Sequence, residues 1–202
     1  MLEFENELYN AGKRLICGID EAGRGPLAGP VCAAAVILPE GVIIDGINDS
    51  KKLSEKKRNL LFDEICEKAA AYSVELVFQD VIDEINIRQA THLAMQNAVN
   101  NLSQKPDILL VDGNDGIPFD GIESKYIVKG DAKSQTIAAA SILAKVTRDR
   151  YMIELSEKYP EYGFEKHKGY GTKAHCEAIR AQGVTEVHRK TFMTDKVLGK
   201  TK

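Results

Sequence analysis

The stretch Gly18-Ile19-Asp20-Glu21-Ala22-Gly23-Arg24-Gly25-Pro26-Leu27-Ala28-Gly29-Pro30 constrains this chain more than any other. Leu15-Ile16-Cys17 leads into it as an apolar run of strand type, and Val31 to Leu38 follows as a second apolar run. Short continuous apolar runs bounded by turn residues fit strands buried on both faces. Between them stand two adjacent carboxylates, an arginine and several glycines. A connection that only reverses the chain needs a glycine or two. It does not need Asp-Glu at the end of a hydrophobic strand, and that excess points to an active site.

The rest of the chain predicts alternating helices and strands. Gly41 to Asp49 reads as a short strand or loop. Ser54 reads as the N-cap of a helix reaching about Tyr72, with Leu61, Ile65, Ala69 and Tyr72 on one face. Ser73 to Phe78 alternates polar and apolar as a half-buried strand. A second helix runs from about Asn86 to Leu102, and Asp107 to Gly113 is a short buried strand ending in a carboxylate. Tyr126-Ile127-Val128 gives another strand, followed by a long helix from about Ser134 to Lys158 that Pro160 and Gly163 stop. A short helix near Thr172 to Gln182 and an exposed basic end complete the chain. This order indicates an α/β fold with helices on both faces of the sheet and a small helical C-terminal appendage.

At 202 residues the chain suits one domain with a substantial core plus a small appendage. No apolar run approaches the roughly 20 residues that span a bilayer, and the acidic start Met1-Leu2-Glu3-Phe4-Glu5 has no secretory pattern. A cytoplasmic protein without membrane contact is the expectation. Cys17, Cys32, Cys66 and Cys176 form no CxxC pair, so structural zinc is not expected and the thiols read as reduced. Net charge is -3, yet from Gly163 to Lys202 nine Lys and Arg face four Asp and Glu. That local excess suits either a phosphate-binding footprint or a solvated surface.

Four carboxylates stand at predicted strand and loop ends: Asp20, Glu21, Asp112 and Asp131. Such ends converge on one edge of an α/β sheet, where ligand sites form. Carboxylates gathered there repel one another and call for a hard cation, Mg²⁺ or Mn²⁺. Two such ions roughly 3.5 to 4 Å apart serve phosphoryl transfer. Each carboxylate also has a structural explanation, since Asp112-Gly113 and Gly130-Asp131 are common turn pairs. Neighbouring strand residues point to opposite faces, so Asp20 and Glu21 are expected to share a site through a bend near Gly23 and Gly25. Arg24 between two glycines suits close approach by a phosphate or sugar. Tyr170, flanked by Gly169 and Gly171 beside Lys166, His167 and Lys168, suits stacking on a nucleotide or latching its own loop.

These residues together resemble a known family. Gly18 to Val31 is similar to the signature of type 2 ribonuclease H (ribonuclease HII), and further blocks agree in order: Asp49-Ser50-Lys51-Lys52-Leu53, Val111-Asp112-Gly113, Lys129-Gly130-Asp131, Ile137 to Ile142, Ala144-Lys145-Val146 with Arg148-Asp149, and Lys168 to Thr172. The resemblance implies an RNase H-like mixed sheet flanked by helices, with a catalytic domain over 1–160 and a helical substrate-binding extension over 161–202. It implies endonucleolytic cleavage of RNA in RNA-DNA hybrids and 5' to single ribonucleotides embedded in DNA, as in repair of misincorporated ribonucleotides, with Mg²⁺ or Mn²⁺ as cofactor. Asp20, Glu21, Asp112 and Asp131 become the metal-binding catalytic carboxylates. Gly23, Arg24 and Gly25 become the loop that reads the ribose 2'-hydroxyl, and Tyr170 the ring on the sugar at the RNA-to-DNA junction. Lys51 and Ser134 are candidate phosphate contacts. A monomer is implied, with a sliding clamp as a candidate partner. Type 3 enzymes carry an added N-terminal domain, and the early position of the signature favours type 2. Two rivals remain: another two-metal hydrolase, and a non-catalytic binder of hybrids.

Overall fold

The computed structural model describes residues 1–48, 50 and 53–200. A short helix α1 (Glu3–Asn10) precedes strands β1 (Ile16–Ala22) and β2 (Val31–Ile37), helix α2 (Glu55–Lys68), strand β3 (Ala71–Val77) and helix α3 (Gln79–Asn100). Strands β4 (Ile108–Asp112) and β5 (Ser124–Ile127), the long helix α4 (Gln135–Lys158), and helices α5 (Phe164–His167), α6 (Lys173–Gln182) and α7 (Asp195–Leu198) follow. The sheet order is β3-β2-β1-β4-β5. β2 runs antiparallel to β1 and β3, whereas β1, β4 and β5 are mutually parallel, so the sheet is mixed.

Both faces of the sheet are covered, which explains the unbroken apolar runs. Along β2, Val31, Ala33, Ala35 and Ile37 join the cluster that includes Ala90, Ala94 and Ala98 of α3. Cys32, Ala34 and Val36 alternate onto the opposite face, against α2 and α4. Small residues bring α4 close: a Cβ on Gly18 would fall 2.2 Å from the Thr136 carbonyl carbon and 2.4 Å from the Ile137 nitrogen. Only a glycine permits that backbone contact, and it fixes the start of α4 against the middle of β1.

Most element boundaries agree with the sequence reading, and the departures have local causes. α2 stops at Lys68 rather than Tyr72, because Ala71 and Tyr72 pair with Ile37 and Val36 of β2. α3 begins before Asn86, but Asn86 is non-helical (φ 67°) and its side-chain oxygen accepts from the Arg88 and Gln89 amides. The expected helix start at Asn86 is therefore an N-cap within a kinked helix. Gly41 to Asn48 contains no strand. The C-terminal segment is not simply exposed: His188 and Arg189 are buried, and Leu27, Met152, Tyr162, Phe164, Ile179 and Val187 form a small core there. No helix among the described residues is long and apolar enough to cross a membrane.

Candidate active site

The parallel pairing of β1 and β4 puts Ile19 opposite Val111, so one rung further Asp20 and Asp112 emerge side by side at the ends of the two strands. Asp20 is buried, and its carboxyl is held well above the usual carboxylate range, first by burial and then by the negative charges of Glu21 and Asp112. Hydrogen bonds from Ser141 and the Glu21 amide oppose that rise; the Glu21 N–H donates to Asp20 Oδ1 at 2.7 Å. Asp112 Oδ1 accepts from the Gly130 N–H at 2.6 Å. That bond ties β4 to the 3₁₀ turn Gly130–Ala132, which carries the buried Asp131 just before α4.

The backbone stays regular through Asp20 and Glu21 themselves. Asp20, Glu21 and Ala22 pair regularly with Ala34, Ala33 and Cys32 of β2, and the chain turns only at Gly23 (φ +94°). Glu21 is nonetheless close enough for its charge to help raise the Asp20 carboxyl. Glu21 faces Arg24, whose Nη1 lies 3.5 Å from Glu21 Oε1 and 3.2 Å from Asp115 Oδ2.

Among the described residues no three carboxylate, histidine or cysteine side chains are drawn into a ready metal cage. The donor chemistry nevertheless fits a hard divalent cation: all four groups are carboxylates, and the buried Asp20 is raised by its negative neighbours, a repulsion that a cation would relieve.

A cavity of about 270 Å³ is lined by Glu21, Gly23, Arg24, Gly25, Ser141, Lys145 and Tyr170, among others, while Asp112 lines a neighbouring one with Glu21 and Arg24. It brings the Gly-Arg-Gly loop and Tyr170 together: a Cβ on Gly25 would sit 3.7 Å from Tyr170 Cε1. The ring itself is 43% exposed, so it packs against the loop yet keeps a free face.

Two buried arginines hold this connection; the sequence marks Arg148 only within a matching block, with no role attached, and Arg189 not at all. Arg189 donates from Nε to the Gly29 carbonyl (3.0 Å), from Nη1 to Arg24 (2.9 Å) and from Nη2 to Gly23 (2.7 Å). Arg148 donates to the carbonyls of Pro30, Lys168 and Ala28 at 2.8, 3.0 and 3.1 Å. A Cβ on Gly23 would lie 2.1 Å from Arg148 Nε, so the glycine both takes the positive φ and admits the guanidinium. Burial and the charge of Arg148 pull Arg189 down to about 9.

A neutral histidine pair supports the Tyr170 side. The Thr185 N–H donates to His188 Nδ1 (3.1 Å), so His188 carries its proton on Nε2 and gives it to His175 Nε2 (3.2 Å). His175 Nδ1–H is then directed at the Tyr170 carbonyl, 3.0 Å away. Desolvation lowers both imidazoles to about 4. Sequence spacing could not pair residues 175 and 188, and the excess of histidines in this segment was the one available signal.

The remaining candidates fall elsewhere. Ser134 is fully enclosed; its hydroxyl donates to Glu5 Oε1 (2.6 Å) and accepts from the Ile137 N–H (3.2 Å) as the N-cap of α4. No face of it is open to a phosphate. Lys51 lies outside the described residues. Ser50 and Ser141, whose hydroxyls are 2.9 Å apart, line the cavity instead.

Comparison with known proteins finds relatives over almost the whole chain. The family described as Ribonuclease HII matches residues 17–195. The ribonuclease HII of Caldicellulosiruptor bescii is 59% identical over 191 residues, covering 95% of this chain and 92% of its own. The crystal structure of ribonuclease H2 from Pyrococcus horikoshii is similar with a TM-score of 0.77 at 31% identity, covering 91% of this chain and 97% of its own. A chain of the PCNA:RNase HII complex from Archaeoglobus fulgidus gives 0.74 at 29% identity, covering 89% and 96%. With its mixed sheet, carboxylate-bearing strand ends and a match over almost its full length, this chain belongs to the ribonuclease HII family and is a nuclease of the ribonuclease H type.

Proposed function

We propose that the protein cuts the RNA strand of RNA-DNA hybrids and the phosphodiester 5' to single ribonucleotides in duplex DNA, leaving 3'-hydroxyl and 5'-phosphate ends. The observation that carries this reading is the cavity in which the Gly23-Arg24-Gly25 loop and Tyr170 meet Glu21 and Ser141, the latter in contact with Asp20. A carboxylate cluster alone does not select a substrate. A loop of small residues facing an aromatic ring does, because it admits one sugar edge-on to backbone donors while the ring covers its neighbour.

In this reading Asp20, Glu21, Asp112 and Asp131 hold two Mg²⁺ or Mn²⁺ ions. When bound, such ions supply an activated water and charge neutralisation at the phosphate. The chain's own residues do the rest. Ser141 and the Glu21 amide orient the Asp20 carboxylate, and the Gly130 amide orients Asp112. Arg189 occupies the carbonyls of Gly23 and Arg24, and Arg148 those of Ala28 and Pro30 further along the same connection, which fixes the backbone around the loop before substrate arrives. Arg24 is poised between Glu21 and Asp115 with its own guanidinium exposed, and can be drawn to a phosphate from there. The segment from residue 161 onward serves as the substrate-binding extension, since it supplies Tyr170 and Arg189. A monomer acting in the cytoplasm, with a sliding clamp as partner, belongs to the same proposal; the clamp is favoured by the Archaeoglobus relative solved with PCNA.

End-mapping tests the reaction. With Mg²⁺ or Mn²⁺, a labelled duplex carrying one ribonucleotide should yield a 3'-hydroxyl on its 5' side, and Asp20→Asn or Asp131→Asn should abolish cleavage while retaining binding. A 2',3'-cyclic phosphate end, or full cleavage by both variants, would refute the mechanism.

A further inference from the structure

Lys145 lies on α4 one turn beyond Ser141, and both line the cavity with Gly25 and Tyr170. Ser141 touches Asp20, and four helical residues advance about 6 Å. The ammonium therefore stands one step from the carboxylates toward the sugar-reading loop. Asp149 holds it there, with Lys145 Nζ 2.8 Å from Asp149 Oδ1 and side chains only 22% and 13% exposed. Helix stability explains little of this pair: with the lysine N-terminal to the acid, an i,i+4 pair has the less favourable order. Nor does the cavity otherwise balance its charge, because Arg24 is drawn to Glu21 and Asp115.

We propose that Lys145 is a phosphate-contacting residue of the nucleic-acid site, its ammonium taking a non-bridging oxygen of the phosphodiester adjacent to the scissile one. The inference deepens the functional reading above and rests on it. A compact ammonium on a flexible stem suits a single phosphate oxygen better than a planar fork would. Contacts to phosphate position a strand without reading its sugar. Lys145 accordingly strengthens binding equally for ribonucleotide-containing and all-DNA duplexes, unlike Tyr170 and the Gly-Arg-Gly loop.

The test is fluorescence anisotropy with a labelled duplex carrying one ribonucleotide and with its all-DNA counterpart, in EDTA, at several NaCl concentrations between about 50 and 200 mM, the range over which phosphate contacts change affinity steeply. Lys145→Gln should weaken binding of both duplexes about tenfold at the lowest salt and make the log-log salt slope shallower by about 0.9. Lys145→Arg, which keeps the charge, should keep the wild-type slope. An unchanged slope in a folded Lys145→Gln protein, whatever its affinity, overturns the assignment, as does an effect confined to the ribonucleotide duplex. If wild type does not cut the ribonucleotide duplex with Mg²⁺ or Mn²⁺, the functional reading itself fails. If it does and the Lys145→Gln slope is unchanged, only Lys145 has been misassigned.

Discussion

Replacing Arg189 with methionine should cost both stability and substrate discrimination. Arg189 is fully buried and donates to three carbonyls, those of Gly23, Arg24 and Gly29. Methionine fills much of the volume but leaves all three acceptors unpaired. At about 1 kcal/mol each, the low end for a buried unsatisfied group, the loss is about 3 kcal/mol. Removing a buried charge that burial and Arg148 disfavour returns part of it, leaving about 2 kcal/mol. For a chain of this length that corresponds to a fall in Tm of about 4–8 °C. Because two of the three carbonyls belong to the Gly-Arg-Gly loop, kcat/KM for a single-ribonucleotide duplex should fall at least about tenfold, the equivalent of 1.4 kcal/mol in the transition state. Arg189→Lys should not restore it, since one ammonium cannot span three acceptors in a fixed fork. Calorimetry and steady-state cleavage read the two effects. A Tm within about 2 °C of wild type together with unchanged kcat/KM would refute the view that this guanidinium organises the loop.

Three further outcomes follow from the same geometry. Asp20 is raised by burial and by Glu21 and Asp112, so its contribution to stability is present below the unfolded carboxylate pKa and is lost as pH rises through its folded value; Asp20→Asn should therefore raise Tm at pH 7 in EDTA, and Mg²⁺ should stabilise wild type more than the variant, both read by calorimetry. His175 and His188, lowered to about 4, stay neutral in the fold while the unfolded chain takes up protons from about pH 6.5. Their contribution is constant at higher pH and lost between about 6.5 and 4, so thermal melts across that range should show a smaller loss for His188→Gln than for wild type. Tyr170→Ala removes a ring that is 43% exposed, so cleavage at a single ribonucleotide should drop far more than Tm; a large fall in Tm with cleavage retained would make the tyrosine a structural latch.

The strands and the long helix were legible because local pattern and tertiary burial agree. Val31–Ile37 is apolar throughout and buried on both faces, and Ser134 caps α4 as its type suggests. The end of α2 was not legible, because pairing with β2, a non-local contact, claims Ala71 and Tyr72. At the site, Asp20, Glu21 and Asp112 announce themselves as charges at the ends of apolar runs, and the structure adds that β1 stays regular through the first two. The roles of Arg148 and Arg189 could not be found this way. Each reads as an ordinary basic residue in a charged helix or tail, and each acts through backbone carbonyls more than one hundred residues away. Carbonyls leave no trace in side-chain sequence. Ser134 shows the converse: a hydroxyl beside the Lys129–Lys133 loop invites a phosphate role, whereas Glu5, far away in sequence, has already taken it.

The central claim is that one loop beside four carboxylates senses a single hydroxyl group. Two duplexes identical but for one 2'-hydroxyl, compared under single-turnover conditions with Mg²⁺, test it most directly. The account predicts cleavage 5' to the ribonucleotide and none at the matching position of the all-DNA duplex, with the difference much reduced in Gly23→Ala, whose Cβ would collide with Arg148. Equal cleavage of the two duplexes by the wild-type protein would contradict it.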